Sequence, residues 1–542
     1  MRTTIAGLLA LAAAQEVGID HPWWAAMTVW LVAQPTPGLL LERSLARLVG
    51  TICGATVGAS ILTLWMDNLL IASGVLAAWL GLCAGLGTIF RHFRNYGFVL
   101  AGYTAGIVVM LGLDGGVADG ALAQDRILCT LIGVASSAAL SFRALSSRDD
   151  GAEMMARNLL ERVILRVESD LHGYEPASDP SLLSEISAFD RALDQFAAGS
   201  LHRRADALRL RYISGALLEL IALTTPGQGN RPAPNLEPRA PGQHAWHLAQ
   251  SATASGRLAL AHTLCELAAA LEPSPWSAKT YFWFDFDFAA IWRAAARPVL
   301  ALAIAVAVWI GVDWQAGAMM AMTAVLFTSL FSDHDHGNHM VIQVLLGTVV
   351  GATAGSLVRL YVLPHADSLF LTLFSIMPFL LIAAWLMRQS ATAKMAIDMA
   401  MTFLLTAQPG SAPTATGIVL SEAAAIVSGV MIAVAIFWLV PSTPALRRDA
   451  LARRVARLTK YIAEAAEGKN LAAYFQRLRN AHLRLLDVTE ADSALFKATQ
   501  VCVAAAGNVR EYQQESARNA ATKASVALDA LIASNNRRTP NA

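Results

Sequence analysis

The residues of this chain most able to do chemistry are the few ionisable side chains set inside apolar stretches. In a bilayer such a group costs roughly 2.5–3.5 kcal/mol at a helix centre, so each one needs a purpose. Asp398 lies well inside the apolar run Met395–Ala407, with Lys394 four residues before it. A lysine and an acid at i, i+4 share one helix face and can simply neutralise each other. The sharper alternative is a proton or substrate role for Asp398. Asp125, Arg126 and Glu422 open the last apolar run of each half of the chain, positions 125 and 422 being 297 apart, as are Arg91 and Arg388. Acids at a helix N-terminus are favoured by the helix dipole and need no further function there. Arg126 together with the two carboxylates is also the set required for an anion-and-proton site. A guanidinium holds an organic carboxylate bidentately, and a carboxyl of raised pKa carries a coupling proton.

The elements that must position these groups are membrane helices. Of the 542 residues, 55% are apolar and only 15% charged, against about a quarter charged in a soluble domain. The composition therefore predicts an all-α polytopic membrane protein. Thr3–Ala14 imitates a signal peptide, but more apolar runs follow at once, so it reads as the first membrane helix. Spans are then expected at Trp23–Leu40, Leu48–Met66, Leu69–Phe90, Gly97–Leu113 and Ile127–Ser141. A second set follows at Pro298–Gly311, Gln315–Phe331, Val341–Leu360, Leu369–Met387, Met395–Ala407 and Thr416–Val440. Between them, the charged stretch from Ser146 to Phe288 reads as a helical bundle with a Pro/Gly-rich break from Thr225 to Gly242. The aromatic run Tyr281–Phe288 then suits the headgroup level. The expected domains are a first transmembrane half (1–145), a helical domain (146–290), a second transmembrane half (291–441) and a helical tail domain (442–542).

Two features say that the membrane halves are equivalent. Gly50-Thr-Ile-Cys-Gly-Ala-Thr-Val-Gly58 nearly repeats as Gly347-Thr-Val-Val-Gly-Ala-Thr-Ala-Gly355. Glycines at i, i+4 and i+8 (Gly50, Gly54, Gly58; Gly347, Gly351, Gly355) form small-xxx-small faces on which a neighbouring backbone can approach closely. Charge gives the orientation. Arg43, Arg47, Arg91, His92, Arg94, Arg143 and Arg148 fall on one side, while the opposite loops hold Asp20, Asp67, Asp114 and Asp119 and no lysine or arginine. By the positive-inside rule both termini and both charged domains are cytoplasmic, and the halves are parallel repeats. Arg43 and Arg47 then serve as topology anchors.

Other features carry less. Gln34, Pro35 and Pro37 break the second span near its inner end; broken helices line substrate sites in many transporters, yet proline at a helix end is ordinary. Asp333, His334, Asp335, His336 and His339 are metal-ligating types without a fixed spacing, and read as a solvated loop with no metal. Five scattered cysteines suggest neither zinc nor disulfides. No phosphate loop, nucleic-acid signature or nucleophile–base pair is present, so neither an ATP-driven pump nor a nucleic-acid binder nor an enzyme is expected, and no cofactor.

The segment Trp24-Ala-Ala-Met-Thr-Val-Trp-Leu-Val-Ala-Gln-Pro35, followed by Arg47-Leu-Val-Gly-Thr51 and the glycine steps, resembles the aromatic acid exporter/fusaric acid resistance family. The alternation of membrane halves and charged helical domains is similar over nearly the whole chain. The second half departs from the pattern, lacking the Gln-Pro and the arginine before Gly347. The resemblance implies an inner-membrane efflux transporter for aromatic carboxylic acids, commonly working with a periplasmic adaptor subunit. Proton coupling is the expected drive. An anion channel on the same architecture and a non-transporting membrane scaffold are the alternatives, and oligomers are open to any of them.

Overall fold

The computed structural model describes residues 2–32, 37–89, 93–115, 120–141, 151–174, 181–198, 200–224, 241–272, 288–332, 337–389, 391–441, 444–465, 471–490, 493–512 and 514–538. Gln34 and Pro35, Arg91 and His92, the 333–336 loop, the 225–240 break and residues 273–287, with all of the aromatic run but Phe288, lie outside them, as does the side chain of His339. The described residues form helices and no strand. In chain order these are Arg2–Glu16 (α1), Trp23–Val32 (α2), Pro37–Trp65 (α3), Leu69–Ile89 (α4), Phe93–Gly115 (α5), Ala121–Ser141 (α6), Gly151–Leu171 (α7), Ser181–Ala197 (α8), Leu201–Leu223 (α9), Pro241–Ala254 (α10) and Leu258–Leu271 (α11). They continue as Phe288–Val312 (α12), Gly317–Leu330 (α13), Gly337–Leu357 (α14), Leu369–Leu386 (α15), Ala393–Ala407 (α16), Thr416–Leu439 (α17), Pro444–Glu464 (α18), Leu471–Leu486 (α19), Ala494–Tyr512 (α20) and Glu515–Arg538 (α21).

The chain divides into two compact units, and each is built from two separate pieces of sequence. One unit combines 1–147 with 284–443, the other 148–283 with 444–542. In the first, seven helices are long and apolar enough to cross a membrane: α3, α4, α5, α12, α14 with its extension, α15 and α17. The other five, α1, α2, α6, α13 and α16, are shorter or less apolar, and two of them, α6 and α16, hold Asp125–Arg126 and Asp398. The N-terminal segment is a packed helix here, with Ala6, Ala10, Leu11 and Ala14 buried and Thr4 Oγ1 donating to Leu380 O of α15 at 3.4 Å.

One expected boundary moves. The second apolar run was expected to continue to Leu40, but α2 ends at Val32 and a new 29-residue helix starts at Pro37. Proline suits the first helical position, because its missing N–H has no intrahelical partner there. Residues 42–47 therefore sit inside α3 rather than in a loop.

The tightest crossings of this unit use glycine. A Cβ added to Gly50, Gly54 or Gly58 of α3 would collide with the carbonyl of Gly97 or Ala101 or with Val108 of α5. At Gly347, Gly351 and Gly355 of α14 it would lie 2.6, 2.5 and 2.8 Å from the carbonyls of Met395, Met399 and Phe403 on α16. Between helices in lipid, such backbone approach replaces the hydrophobic drive that water would supply.

In the second unit one apolar core takes residues from both pieces of sequence, among them Val163, Phe189, Leu217 and Leu264 with Val455, Phe475, Phe496 and Val503. A buried charge knot joins the same pieces. Arg479 of α19, 2% exposed at its side chain, pairs with Glu219 of α9 and, at 2.7 Å, with Glu266 of α11. Arg510 of α20 reaches Glu266 at 2.5 Å. These partners hold the Glu266 carboxyl far below the usual carboxylate range and push the Arg479 guanidinium up, against the desolvation of both.

Candidate functional site

In the first half of the membrane unit, helices α2, α3, α5 and α6 bring two buried arginines together. Arg47 is 0% exposed. Its Nη1 donates to Tyr96 Oη at 3.1 Å and to Tyr103 Oη at 3.2 Å, and Nη2 donates to Thr28 Oγ1 at 3.3 Å. Its Nε finds no partner among the described residues. Arg126 is 3% exposed, and its guanidinium stands 5.1 Å from the centre of the Trp24 ring. Its Nε is likewise without a partner among the described residues, and no described carboxylate is ion-paired with either arginine. Trp24 and Thr28, the α2 residues that these two cations meet, are one helical turn apart.

The neighbouring acid is already engaged. Asp125 Oδ2 meets His21 Nδ1 at 3.0 Å, and the His21 ring stacks on Trp24 at 4.4 Å between centroids. Adjacent residues of α6 thus grip the start of α2 in two ways, Asp125 through His21 and Arg126 through the indole.

The sequence reading takes Arg47 as a topology anchor, and the structure adds a set of contacts which that reading does not foresee. An arginine that only anchors needs no protein partners, whereas this one is wholly enclosed by hydroxyls and rings. A signal for this exists in the sequence: Arg47 precedes Gly50 by three and Gly54 by seven residues, so it shares the glycine face. Tyr96 and Tyr103 carry no such signal, since two tyrosines on an apolar helix read as ordinary packing.

In the second half the chemistry is different. Asp398 is 5% exposed, and its Oδ2 accepts from Thr348 Oγ1 at 2.8 Å. Lys394 is exposed and makes no ion pair with it. The helix-face neutralisation that the i, i+4 spacing suggests is therefore absent. Gly347 makes the room, since a Cβ there would sit 3.1 Å from Asp398 Oδ2.

Glu422 is paired with a residue that sequence spacing did not select. Arg359 Nη1 donates to Glu422 Oε2 at 2.7 Å, and Arg359 Nη2 donates to Thr414 Oγ1 at 3.0 Å. Gln408 Nε2 adds a bond to the same carboxylate at 3.2 Å. Arg359 lies in a π-helical turn, Val358–Val362, that extends α14. Such turns concentrate at functional sites because they rotate one side chain off the regular helix register. Arg126, Asp125 and Glu422 thus have three separate sets of described contacts: an indole, a histidine and an arginine.

A family model described as the fusaric acid resistance protein family matches residues 1–228 and 226–541. An uncharacterized transporter of Salmonella typhimurium is 29% identical over 168 residues, 30% of this chain and 25% of that protein. An uncharacterized transporter of Gluconobacter oxydans is 30% identical over 147 residues, 26% of this chain and 20% of that protein. A p-hydroxybenzoic acid efflux pump subunit of Erwinia billingiae is 29% identical over 119 residues, 20% of this chain and 18% of that protein. The chain spans no more than 25% of the length of these curated relatives in the matched stretches. No solved structure matches. With matches that run from residue 1 to residue 541, this multi-pass membrane protein belongs to the fusaric acid resistance protein family.

Proposed function

We propose that the protein is an inner-membrane efflux transporter for small organic acids, chiefly aromatic carboxylic acids, driven by the proton gradient. The observation that carries this reading is Arg126: a buried guanidinium over an indole, with no described carboxylate to balance it. A buried unpaired charge costs several kcal/mol, and an anionic aromatic acid bound in its field supplies countercharge while its ring meets the indole. The printed name of the Erwinia relative supports the same substrate class. Asp398 is the residue for proton exchange, as a buried acid with a hydroxyl partner and no cation paired with it among the described residues. Both halves repeat one glycine-faced crossing, and we read them as parallel repeats with both termini cytoplasmic. The word "subunit" in the relative's name fits a periplasmic adaptor as partner.

The test is uptake into inside-out vesicles under an imposed pH gradient, with benzoate and 4-hydroxybenzoate as probes. Accumulation above equilibrium that collapses when the gradient is dissipated is expected. Flux that never exceeds equilibrium would instead indicate an anion channel, and no flux at all a scaffold. Arg126→Gln should lower the apparent affinity by roughly tenfold, the worth of one charge-assisted interaction.

A further inference from the structure

We propose that Arg47, Tyr96 and Tyr103 form an oxyanion-binding site that takes the carboxylate of the transported acid. The proposal rests on the efflux reading above and assigns the carboxylate to this second guanidinium.

The argument is a count of donors and acceptors. A guanidinium offers five N–H donors and no acceptor, and a phenol that accepts a hydrogen bond keeps its own O–H proton to give. Tyr96 and Tyr103 both accept from Arg47, and neither phenolic proton has a described acceptor. Thr28 differs, because its hydroxyl already donates to Trp24 O at 2.9 Å. The cluster therefore presents the buried Arg47 Nε–H and Tyr103 O–H and the half-buried Tyr96 O–H with no acceptor among the described residues. Buried donors left without acceptors are costly, and native structures rarely keep several in one place without a ligand.

Charge points the same way. Arg43 lies over the Tyr96 ring at 4.7 Å, and Arg126 lies over Trp24, one turn of α2 before the Thr28 that Arg47 meets, so the neighbouring cations add to the positive field. Asp125, beside Arg126, is held by His21. An anion with two oxygens on a planar group suits this donor set: one oxygen for the guanidinium edge, one for the phenols. The ring attached to it would then lie toward Trp24. Among the described residues the second half shows no such donor set at the matching crossing, where Asp398 packs against Gly347 as Leu100 packs against Gly50.

The test compares benzoate with the neutral benzamide on the purified full-length protein, by calorimetry, in wild type, Arg47→Gln and Tyr103→Phe. Wild type should prefer benzoate. The preference should fall at least tenfold in Arg47→Gln and about threefold or more in Tyr103→Phe, with benzamide binding unchanged in both. Tyr103→Phe removes one oxygen and keeps the packing, so it decides the matter if the glutamine variant does not fold. An undiminished preference in Tyr103→Phe and in any folded Arg47→Gln overturns the assignment while leaving the efflux reading intact. Failure of wild type to bind or move either acid overturns both.

Discussion

At the scale of single residues, the two halves of the membrane unit put opposite chemistry on similar supports. Arg47 and Arg126 are buried cations with hydroxyls and rings around them; Asp398 is a buried acid with a threonine. If Asp398 exchanges the coupling proton, Asp398→Asn keeps its shape and its bond to Thr348 while removing the titration. The variant should bind benzoate as wild type does and lose accumulation against a gradient in vesicles. Wild-type uphill transport in Asp398→Asn would make the acid structural. The importance of Asp398 is legible in the sequence because an acid in an apolar run stands out. The Arg359–Glu422 pair is not, since its members are 63 positions apart and only the placement of α14 against α17 joins them.

At the scale of elements, glycine faces decide how closely helices cross. Gly54→Leu and Gly351→Leu should each prevent assembly, because even a methyl at Gly351 meets Met399 O at 2.5 Å and Thr402 Cβ at 3.1 Å. The readout is the yield of monodisperse protein in detergent; normal yield and transport in both variants would show that these crossings relax. The periodicity of these faces is visible in the chain, and so is the helical character of nearly every segment. The start of α3 is less so: the apolar run passes through Pro35 and Pro37, and hydropathy alone does not say on which side of the prolines a residue belongs. Among the charged helices, α11 and α20 meet at His262, whose pKa is raised to about 9 by hydrogen bonds to Glu266 and Glu511, against desolvation and Arg510. A folded-state pKa above the unfolded value near 6.5 means stabilisation that is complete below about pH 6.5. It is lost as pH rises through about 9. Hydrogen-exchange protection of α11 and α20 should fall over that window, and His262→Gln should flatten the fall; an identical profile in both proteins would remove His262 as its source.

At the scale of the whole molecule, charge segregation predicts sidedness. Reporter fusions at Gly116 and Gly227 should give opposite answers, and the same answer at both would undo the proposed topology. The division into units has a consequence for how the chain is made. Residues 148–283 and 444–542 share one core, yet the second half of the membrane unit is synthesised between them. At about 5–20 residues per second, a ribosome needs roughly 8–30 s to traverse that interval. Throughout it Leu217, Leu264 and their neighbours have no Phe475 or Val503 to cover them, and Glu219 waits for Arg479. The nascent protein thus carries an unfinished apolar surface while α12–α17 are still being made, a window in which a holding chaperone would determine the yield.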